Sequence, residues 1–361
     1  MTGLEGSPTL AMGMPSSITR ARLDSLLTAA AGTRVAVIGD AMLDVYLRGE
    51  VERISPEAPV PVVRVRERAH ALGGAANVAQ NVAAVGAHCE LVGTLGDDAA
   101  GRTVREMLVR IGTDHHSLIA VSRATTTKTR IVARAQQVVR VDEEDDGDVT
   151  GAEVALLLAA VEQAVAAADA VVLEDYNKGV LVPAVIDAAT KAAAARGIPV
   201  VVDPKFRNFF RYRGATVFKP NRRELEGALG AAVDLDSPSA LHDAVERLGV
   251  GHLLLTLGEH GMALVGPDGA THRVPTTARA VYDVVGAGDT VTAYLAVMLA
   301  AKATPLEAAI VANYAAGVEV GKSGAATVSA AEVLEAYDTH AADGTPAPGS
   351  APARSTPAYT E

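Results

Sequence analysis

Short, continuous apolar runs alternate along most of the chain with stretches in which apolar residues recur every three or four positions. Residues 35–38 (Val-Ala-Val-Ile) form one such run, which ends in Gly39-Asp40. A run that is apolar at every position predicts a strand buried on both faces, as in a parallel sheet. Residues 151–167 and 183–196 have the apolar spacing of helices. The alternation predicts an α/β fold with a doubly wound, mostly parallel sheet and helices on both faces.

Two segments, residues 45–70 and 122–142, depart from this pattern because valines alternate with arginines and prolines. Such sequences suit exposed edge strands better than central ones, so we predict a small antiparallel β flap, or lid, beside the main sheet. The remaining strand predictions are residues 90–94, 170–173, 199–202, 216–218 and 252–257, with an antiparallel edge from residues 261–265 and 272–275.

One domain is predicted over residues 18–340. The leader, residues 1–17, and the tail, residues 341–361, are rich in Gly, Ser, Pro or Ala and are predicted to be disordered.

Composition narrows the classes of function. The chain has 361 residues and a net charge of −11, which argues against nucleic acid as the main partner. The apolar runs are too short for a membrane span, and no secretion signal is visible. The single cysteine, Cys89, excludes an intramolecular disulfide framework and favours a cytoplasmic location.

A helix start without bulky side chains is predicted at Gly286-Ala287-Gly288-Asp289, because an apolar helical pattern follows at once. Backbone N–H groups at such a start can bind a phosphate. Asp289 has two interpretations. It is either a helix cap that complements the dipole or a base that takes a proton from an alcohol during phosphoryl transfer. The flanking glycines, and Asp283 six residues earlier, favour the base.

Further candidates for substrate binding follow the first predicted strand. Asp40 and Asp44 lie where open α/β sheets bind ligands, although either residue would also suit a turn or a cap. Gly73 and Gly74 precede a predicted helix and permit close approach of a ligand to the backbone. Asn77 has both a donor and an acceptor for sugar hydroxyls.

The motif Asp-x-x-Gly-Ala-Gly-Asp resembles the C-terminal signature of the ribokinase-like (PfkB) sugar kinases. The resemblance implies that Asp289 is the catalytic base and that the backbone of Gly286, Ala287 and Gly288 is the anion hole. It also implies that the Gly-Gly…Asn element binds the acceptor sugar.

The same resemblance implies sites for ATP and Mg²⁺. Asn221 and Glu224 match the element that orders Mg²⁺, its waters and the triphosphate, although this spacing is also that of a capped helix. Asp283 is a candidate neighbour of a monovalent cation. The other ATP-binding candidates are Thr256, Gly258 and Gly261 in a nucleotide loop and Asn313 near the adenine.

Four segments (53–62, 73–79, 128–130 and 175–179) narrow the resemblance to the heptose 7-phosphate kinases, the kinase half of ADP-heptose synthesis. The similarity runs from about residue 20 to 338. It implies transfer of the ATP γ-phosphate to O1 of D-glycero-D-manno-heptose 7-phosphate. Val285 stands where a threonine is expected, and no His-x-Gly-His motif of the nucleotidyltransferase half occurs.

An acidic protein that binds a second phosphate must concentrate positive groups locally. Lys128, Arg130 and Arg140 in the flap and Lys178 after a strand are the candidates, and Lys178 is the strongest. Basic residues on exposed strands also serve only to protect sheet edges. The exposed flap strands predict a homodimer formed through the flap.

Several alternatives stay open. In one alternative, the acceptor is a different sugar, sugar phosphate or nucleoside. In another alternative, the protein is a non-catalytic sugar-phosphate sensor. A nucleotide-dependent oxidoreductase is disfavoured because Asp289-Thr290 stand where a third glycine is needed.

Overall fold

The computed structural model describes residues 18–134 and 136–342 of the chain. The predicted leader lies outside this range. So does the predicted tail, except for residues 341 and 342, which end the last helix.

The strands are β1 (Arg34–Gly39), β2 (Ala41–Ile54), β3 (Pro61–Gly74), β4 (His88–Gly96), β5 (Leu118–Val121), β6 (Thr127–Ala133), β7 (Gln136–Glu143), β8 (Ala170–Glu174), β9 (Val200–Asp203), β10 (Val217–Phe218), β11 (His252–Thr256), β12 (Met262–Val265) and β13 (Thr271–Val274). The helices are α1 (Arg20–Ala30), α2 (Ala75–Ala84), α3 (Ala99–Arg110), α4 (Gly151–Ala167), α5 (Pro183–Arg196), α6 (Arg222–Leu229), α7 (Pro238–Leu248), α8 (Ala287–Ala300), α9 (Pro305–Glu319) and α10 (Ala330–Ala342). Of these helices, none is long and apolar enough to cross a membrane.

The main sheet has nine strands in the order β13-β12-β11-β10-β9-β8-β1-β4-β5, and within it only the β11–β12 and β12–β13 pairs of the described chain are antiparallel. The side chains of β1 show why its sequence is apolar throughout. Val35 and Val37 pack into one core, whereas Ala36 and Ile38 pack into a second core on the opposite face. The predicted ribokinase-like α/β sheet and its antiparallel edge are therefore confirmed.

Helices cover both faces of this sheet. α1, α2, α8, α9 and α10 pack on one face, and α4, α5 and α7 pack on the other. The first of these layers places the start of α8 at the carboxyl ends of the central strands.

The flap is a separate four-stranded sheet in the order β3-β2-β6-β7. Its two hairpins, β2–β3 and β6–β7, are antiparallel as predicted. The central pair, β2 with β6, is parallel, because both strands leave the main body and run outward. The proline-rich residues 55–60 form the outer turn of the long hairpin.

The flap is longer than the predicted lid segments, and this changes the place of three candidate residues. β2 continues almost directly from β1, so Asp44 lies within a strand rather than a turn. Gly73 and Gly74 end β3 and, as predicted, directly precede a helix, since Gly74 is the N-cap of α2. Gly74 has φ 56°, and a Cβ there would lie 2.4 Å from the Asp40 carbonyl oxygen, so this tight strand-to-helix turn requires glycine.

Candidate active site

The carboxyl ends of the central parallel strands bring buried polar side chains to one edge of the sheet. Glu174 ends β8, Asp203 ends β9, and Lys219 follows β10. The start of α8 lies against them, since a Cβ at Gly288 would be 3.7 Å from Lys219 Nζ and 3.9 Å from Asp203 Oδ2. This is the edge at which open α/β sheets bind ligands.

The first turn of α8 is shaped to accept an anion. Gly286 is its N-cap with φ 97°, and no side chain caps the helix. A Cβ at Gly286 would lie 3.1 Å from Asn77 Nδ2 and 3.3 Å from Ala325. The first amides of a helix have no intrahelical acceptor, and the helix dipole favours negative charge there. This geometry is compatible with the anion hole expected at Gly286, Ala287 and Gly288, which stays a prediction.

Asp289 lies in this first turn with its carboxylate buried. Its Oδ2 accepts a hydrogen bond from Asn77 Nδ2 at 2.6 Å, and its Oδ1 accepts one from the Tyr176 hydroxyl at 2.8 Å. Burial raises the pKa of Asp289 to about 6, although these two donors favour the ionised form. A carboxylate with a pKa close to neutrality is suited to general-base catalysis.

An acidic cluster with one lysine lies beside Asp289. Lys219 Nζ donates to Asp203 Oδ2 at 2.8 Å. Neither carboxylate oxygen of Glu174 has a hydrogen-bond partner, and burial, followed by the charges of Asp203 and Asp289, raises the pKa of Glu174 well above its usual value. Oxygens of Glu174, Asp203 and Asp289 lie within 4.8 Å of one another. This oxygen-only donor set, with its unpartnered buried carboxylate, fits a Mg²⁺ ion.

Two cavities meet at the start of α8. The larger has a volume of about 530 Å³ and is lined by Thr256, Gly258, Gly261, Ala287, Gly288 and Asn313, together with apolar side chains. The smaller, of about 210 Å³, is lined by Asp44, Gly74, Asn77, Lys128, Arg130, Arg140, Tyr176, Gly286 and Asp289 among others. Four of the predicted ATP-binding residues therefore share the larger cavity, whereas Asp289, the predicted base, and most of the predicted acceptor-binding residues share the smaller.

The flap cations that line the smaller cavity are held by carboxylates. Arg130 Nη1 lies 2.5 Å from Asp44 Oδ1. Arg140 makes two hydrogen bonds of 2.9 Å to Asp142, and Lys128 Nζ is 3.5 Å from the same side chain. The structure thus brings the predicted basic residues together, but with acidic partners that the sequence analysis did not assign to them.

Lys178 and Asp40 lie apart from the smaller cavity and line a separate recess. Glu144 connects Lys128 and Lys178, at 3.2 Å and 2.9 Å. The Asp40 carboxylate accepts three backbone N–H groups from residues 176–180 at 2.8–3.1 Å. The structure therefore shows Asp40 supporting a loop, and the strongest predicted phosphate ligand, Lys178, paired with a carboxylate outside the cavity.

Asn221 and Glu224 form the capping box that was the alternative interpretation. Asn221 Oδ1 accepts from the Glu224 N–H at 2.9 Å, and Glu224 Oε2 accepts from the Asn221 N–H at 2.9 Å. The other oxygen of Glu224 accepts from Lys205 Nζ. Neither residue lines the larger cavity, so their link to Mg²⁺ stays a prediction.

Asp283 holds two loops together by accepting from the N–H groups of Val285 and Gly324, each at 3.1 Å. Nearby, Glu319 is fully buried at the end of α9. Burial, followed by the charge of Asp283, raises the pKa of Glu319 to about 8. The monovalent cation predicted near Asp283 would meet this acidic pair, and it stays a prediction.

Sequence reasoning gave no role to Tyr176, Glu174 or Lys219. Glu174 ends a buried strand, Tyr176 lies two residues beyond it, and Lys219 directly follows another strand. Their positions at or just after the ends of strands could have identified them as site residues, because polar residues at the carboxyl ends of parallel strands converge.

Solved structures share the fold of this chain. The chain matches ribokinase from Arabidopsis thaliana complexed with ribose and ATP over 84% of this chain and 98% of that chain, with a TM-score of 0.67 and 22% identity. Phosphofructokinase-2 from Escherichia coli in complex with potassium matches over 86% of this chain and 99% of that chain, with a TM-score of 0.69 and 19% identity. The fold is therefore ribokinase-like.

The model of the pfkB family of carbohydrate kinases matches residues 32–332, and the chain belongs to that family. The bifunctional protein HldE of Caulobacter sp. (strain K31) is 46% identical over 326 residues, or 88% of this chain and 66% of that protein. HldE of Rhodospirillum rubrum is 43% identical over 320 residues, or 87% of this chain and 64% of that protein. The chain thus spans slightly less than two thirds of the length of these relatives.

Proposed function

We propose that the protein transfers the γ-phosphate of ATP to O1 of D-glycero-D-manno-heptose 7-phosphate and forms the 1,7-bisphosphate. The resemblance of its motifs to the heptose 7-phosphate kinases supports this acceptor. The similarity to bifunctional HldE proteins, at 46% and 43% identity over most of this chain, also supports it. The reaction consumes ATP, and we place it in the cytoplasm.

The observation that carries the proposal is the position of Asp289, buried in the first turn of α8 where the two cavities meet. In the proposed reaction, Asp289 accepts the proton of the O1 hydroxyl from the side of the smaller cavity. The amides of Gly286 to Gly288 bind the phosphoryl oxygens presented from the larger cavity. Glu174 and Asp203 would hold Mg²⁺, which would supply positive charge to neutralise the phosphate.

The second phosphate of the acceptor is assigned to the flap. Lys128, Arg130 and Arg140 line the smaller cavity together with Asp289, and guanidinium groups suit the bidentate recognition of phosphate. Closure of the flap over the acceptor would exclude water, which otherwise competes for the phosphoryl group.

Replacement of Asp289 by Asn tests the catalytic assignment, because the amide keeps the shape of the side chain and cannot accept the proton. We expect turnover to be nearly abolished in a coupled ADP-release assay, whereas ATP affinity, measured by titration calorimetry, stays unchanged. Asp243→Asn, at an exposed position on α7, is the control and should behave as wild type. Wild-type turnover by Asp289→Asn would refute the assignment.

We also propose a homodimer formed through the flap. β7 is the edge strand, and its Val139 and Val141 side chains are 45% and 46% exposed on the same face. Exposed apolar edge strands favour pairing with another chain. Lysine at both positions should convert a dimer to a monomer in light scattering, whereas lysine at Val109, an exposed position on α3 outside the flap, should not. A monomeric wild-type protein would contradict the proposal.

A further inference from the structure

The catalytic carboxylate is held at both oxygens by residues from elements distant in sequence. Tyr176, in the loop after β8, donates its hydroxyl proton to Oδ1 of Asp289 at 2.8 Å. Asn77, on α2, donates to Oδ2 at 2.6 Å. A carboxylate oxygen can accept two hydrogen bonds, so each oxygen retains an acceptor position for the O1 hydroxyl of a sugar. The two donors therefore leave the base usable and restrict its rotation.

Tyr176 is itself held firmly in place. Its backbone N–H donates to Asp40 Oδ2 at 2.8 Å. The next residue, Asn177, has φ 56°, and its N–H donates to Asp175 Oδ1 at 2.7 Å. Lys205 Nζ lies 5.4 Å from the centre of the Tyr176 ring. Each contact limits the movement of the loop or the ring and so fixes the position of the hydroxyl.

We infer that Tyr176 is a positioning residue that orients the Asp289 carboxylate toward the acceptor hydroxyl, and that Asp40 maintains this arrangement by holding the loop. The inference rests on the proposed function of Asp289 as the base. It accounts for the burial of Asp40 and for its bonds to the backbone of residues 176–180. Tyr176 acts through Asp289 and takes no proton from the substrate.

The test is Tyr176→Phe, which removes the hydroxyl and keeps the ring that contacts Lys205. Misplacement of a catalytic group by about 1 Å can cost about 100-fold in rate. We expect kcat to fall by about 10- to 100-fold. The KM values for ATP and the heptose phosphate should change by less than about threefold, since the binding contacts remain.

Tyr212→Phe is the matched control. Tyr212 is also buried, and its hydroxyl donates to Asp175 Oδ2 at 2.6 Å, so its loss removes the same kind of hydrogen bond at the same edge of the sheet. It holds Asp175, which accepts from the Asn177 N–H, but it is not hydrogen-bonded to Asp289 in the described structure, so kcat should fall much less than in Tyr176→Phe. Titration of each variant with ATP in a calorimeter shows that the protein is folded.

Wild-type kcat in Tyr176→Phe would overturn the inference, as would an equal loss of kcat in Tyr212→Phe or a rise in KM with unchanged kcat. Asp289→Asn separates this inference from the proposed function. If Asp289→Asn is inactive and Tyr176→Phe is fully active, only the inference fails. If Asp289→Asn is active, the proposed function fails and the inference fails with it.

Discussion

Glu319 allows a quantitative test of the electrostatics near Asp283 and Asp289. The side chain is fully buried, and in the described part of the chain Lys322 and the Ala326 backbone favour its ionised form less than burial opposes it. Burial, followed by the charge of Asp283, raises its pKa from 4.5 to about 8. The native state therefore retains a proton between these pH values that the unfolded state has released. Stability contributed by the protonated group is present below pH 4.5 and is lost as the pH rises through 8.

We predict that Glu319→Met removes this pH dependence. One pKa unit corresponds to about 1.4 kcal/mol, so complete ionisation of Glu319 costs the native state at most about 5 kcal/mol. Part of this cost is already present at pH 5, and relaxation around the charge reduces it further, so we expect the variant to gain about 2–4 kcal/mol relative to wild type between pH 5 and pH 9.

The assay is urea denaturation followed by circular dichroism at pH 5, 7 and 9. Tetramethylammonium salts replace K⁺ and Na⁺, so that a cation near Asp283 does not compensate the charge. Glu332→Gln is the control. Burial opposes ionisation of Glu332, but its hydrogen bonds to Lys322 and Ser329 lower its pKa, so its charge is the same at pH 7 and pH 9. The free energy of unfolding lost in Glu332→Gln should therefore be equal at these two pH values. An equal stability difference between Glu319→Met and wild type at all three pH values would refute the reasoning.

Three further predictions concern the site. Glu144→Gln removes the carboxylate that Lys128 and Lys178 share. In steady-state kinetics, KM for the phosphorylated acceptor should therefore fall about 2- to 5-fold. An increase in this KM would contradict the assignment of phosphate to these cations. Lys219→Met leaves the buried Asp203 without its ion pair. The free energy of unfolding, measured in urea, should therefore fall by about 3–5 kcal/mol. An unchanged urea midpoint would show that this ion pair does not stabilise the fold. The methyl group added by Gly288→Ala would lie no closer than 3.7 Å to the nearest described atom outside its own helix, Lys219 Nζ, so the melting temperature should match wild type. The same methyl group would obstruct the phosphate, so KM for ATP should rise about tenfold. An unchanged KM would show that the phosphate binds elsewhere.

The fold was predictable because its signals are local. Residues 35–38 are apolar at every position, and the structure packs them alternately into two cores. The prolines and arginines of residues 45–70 predicted an exposed hairpin, and the long β2–β3 hairpin contains them. In each case, the environment of a residue follows from its immediate neighbours in the sequence.

The partners within the site were not predictable, because they depend on contacts between distant residues. Tyr176 meets Asp289 across 113 positions, and no local pattern indicates this hydrogen bond. The parallel register of β2 and β6 places Asp44 beside Lys128 and allows its ion pair with Arg130. Residues 221–224 show the opposite case. The resemblance attributed their spacing to Mg²⁺ binding, and in the structure Asn221 and Glu224 hydrogen-bond to each other's backbone N–H groups at the start of α6.

The most direct test of the proposed function is ATP turnover with Mg²⁺ and a panel of acceptors. The panel contains D-glycero-D-manno-heptose 7-phosphate, sedoheptulose 7-phosphate, fructose 6-phosphate, ribose and adenosine. We predict ADP release with the heptose phosphate alone. Turnover with another acceptor would retain Asp289 as the base and reject the heptose assignment, and no turnover with any acceptor would contradict the proposed reaction.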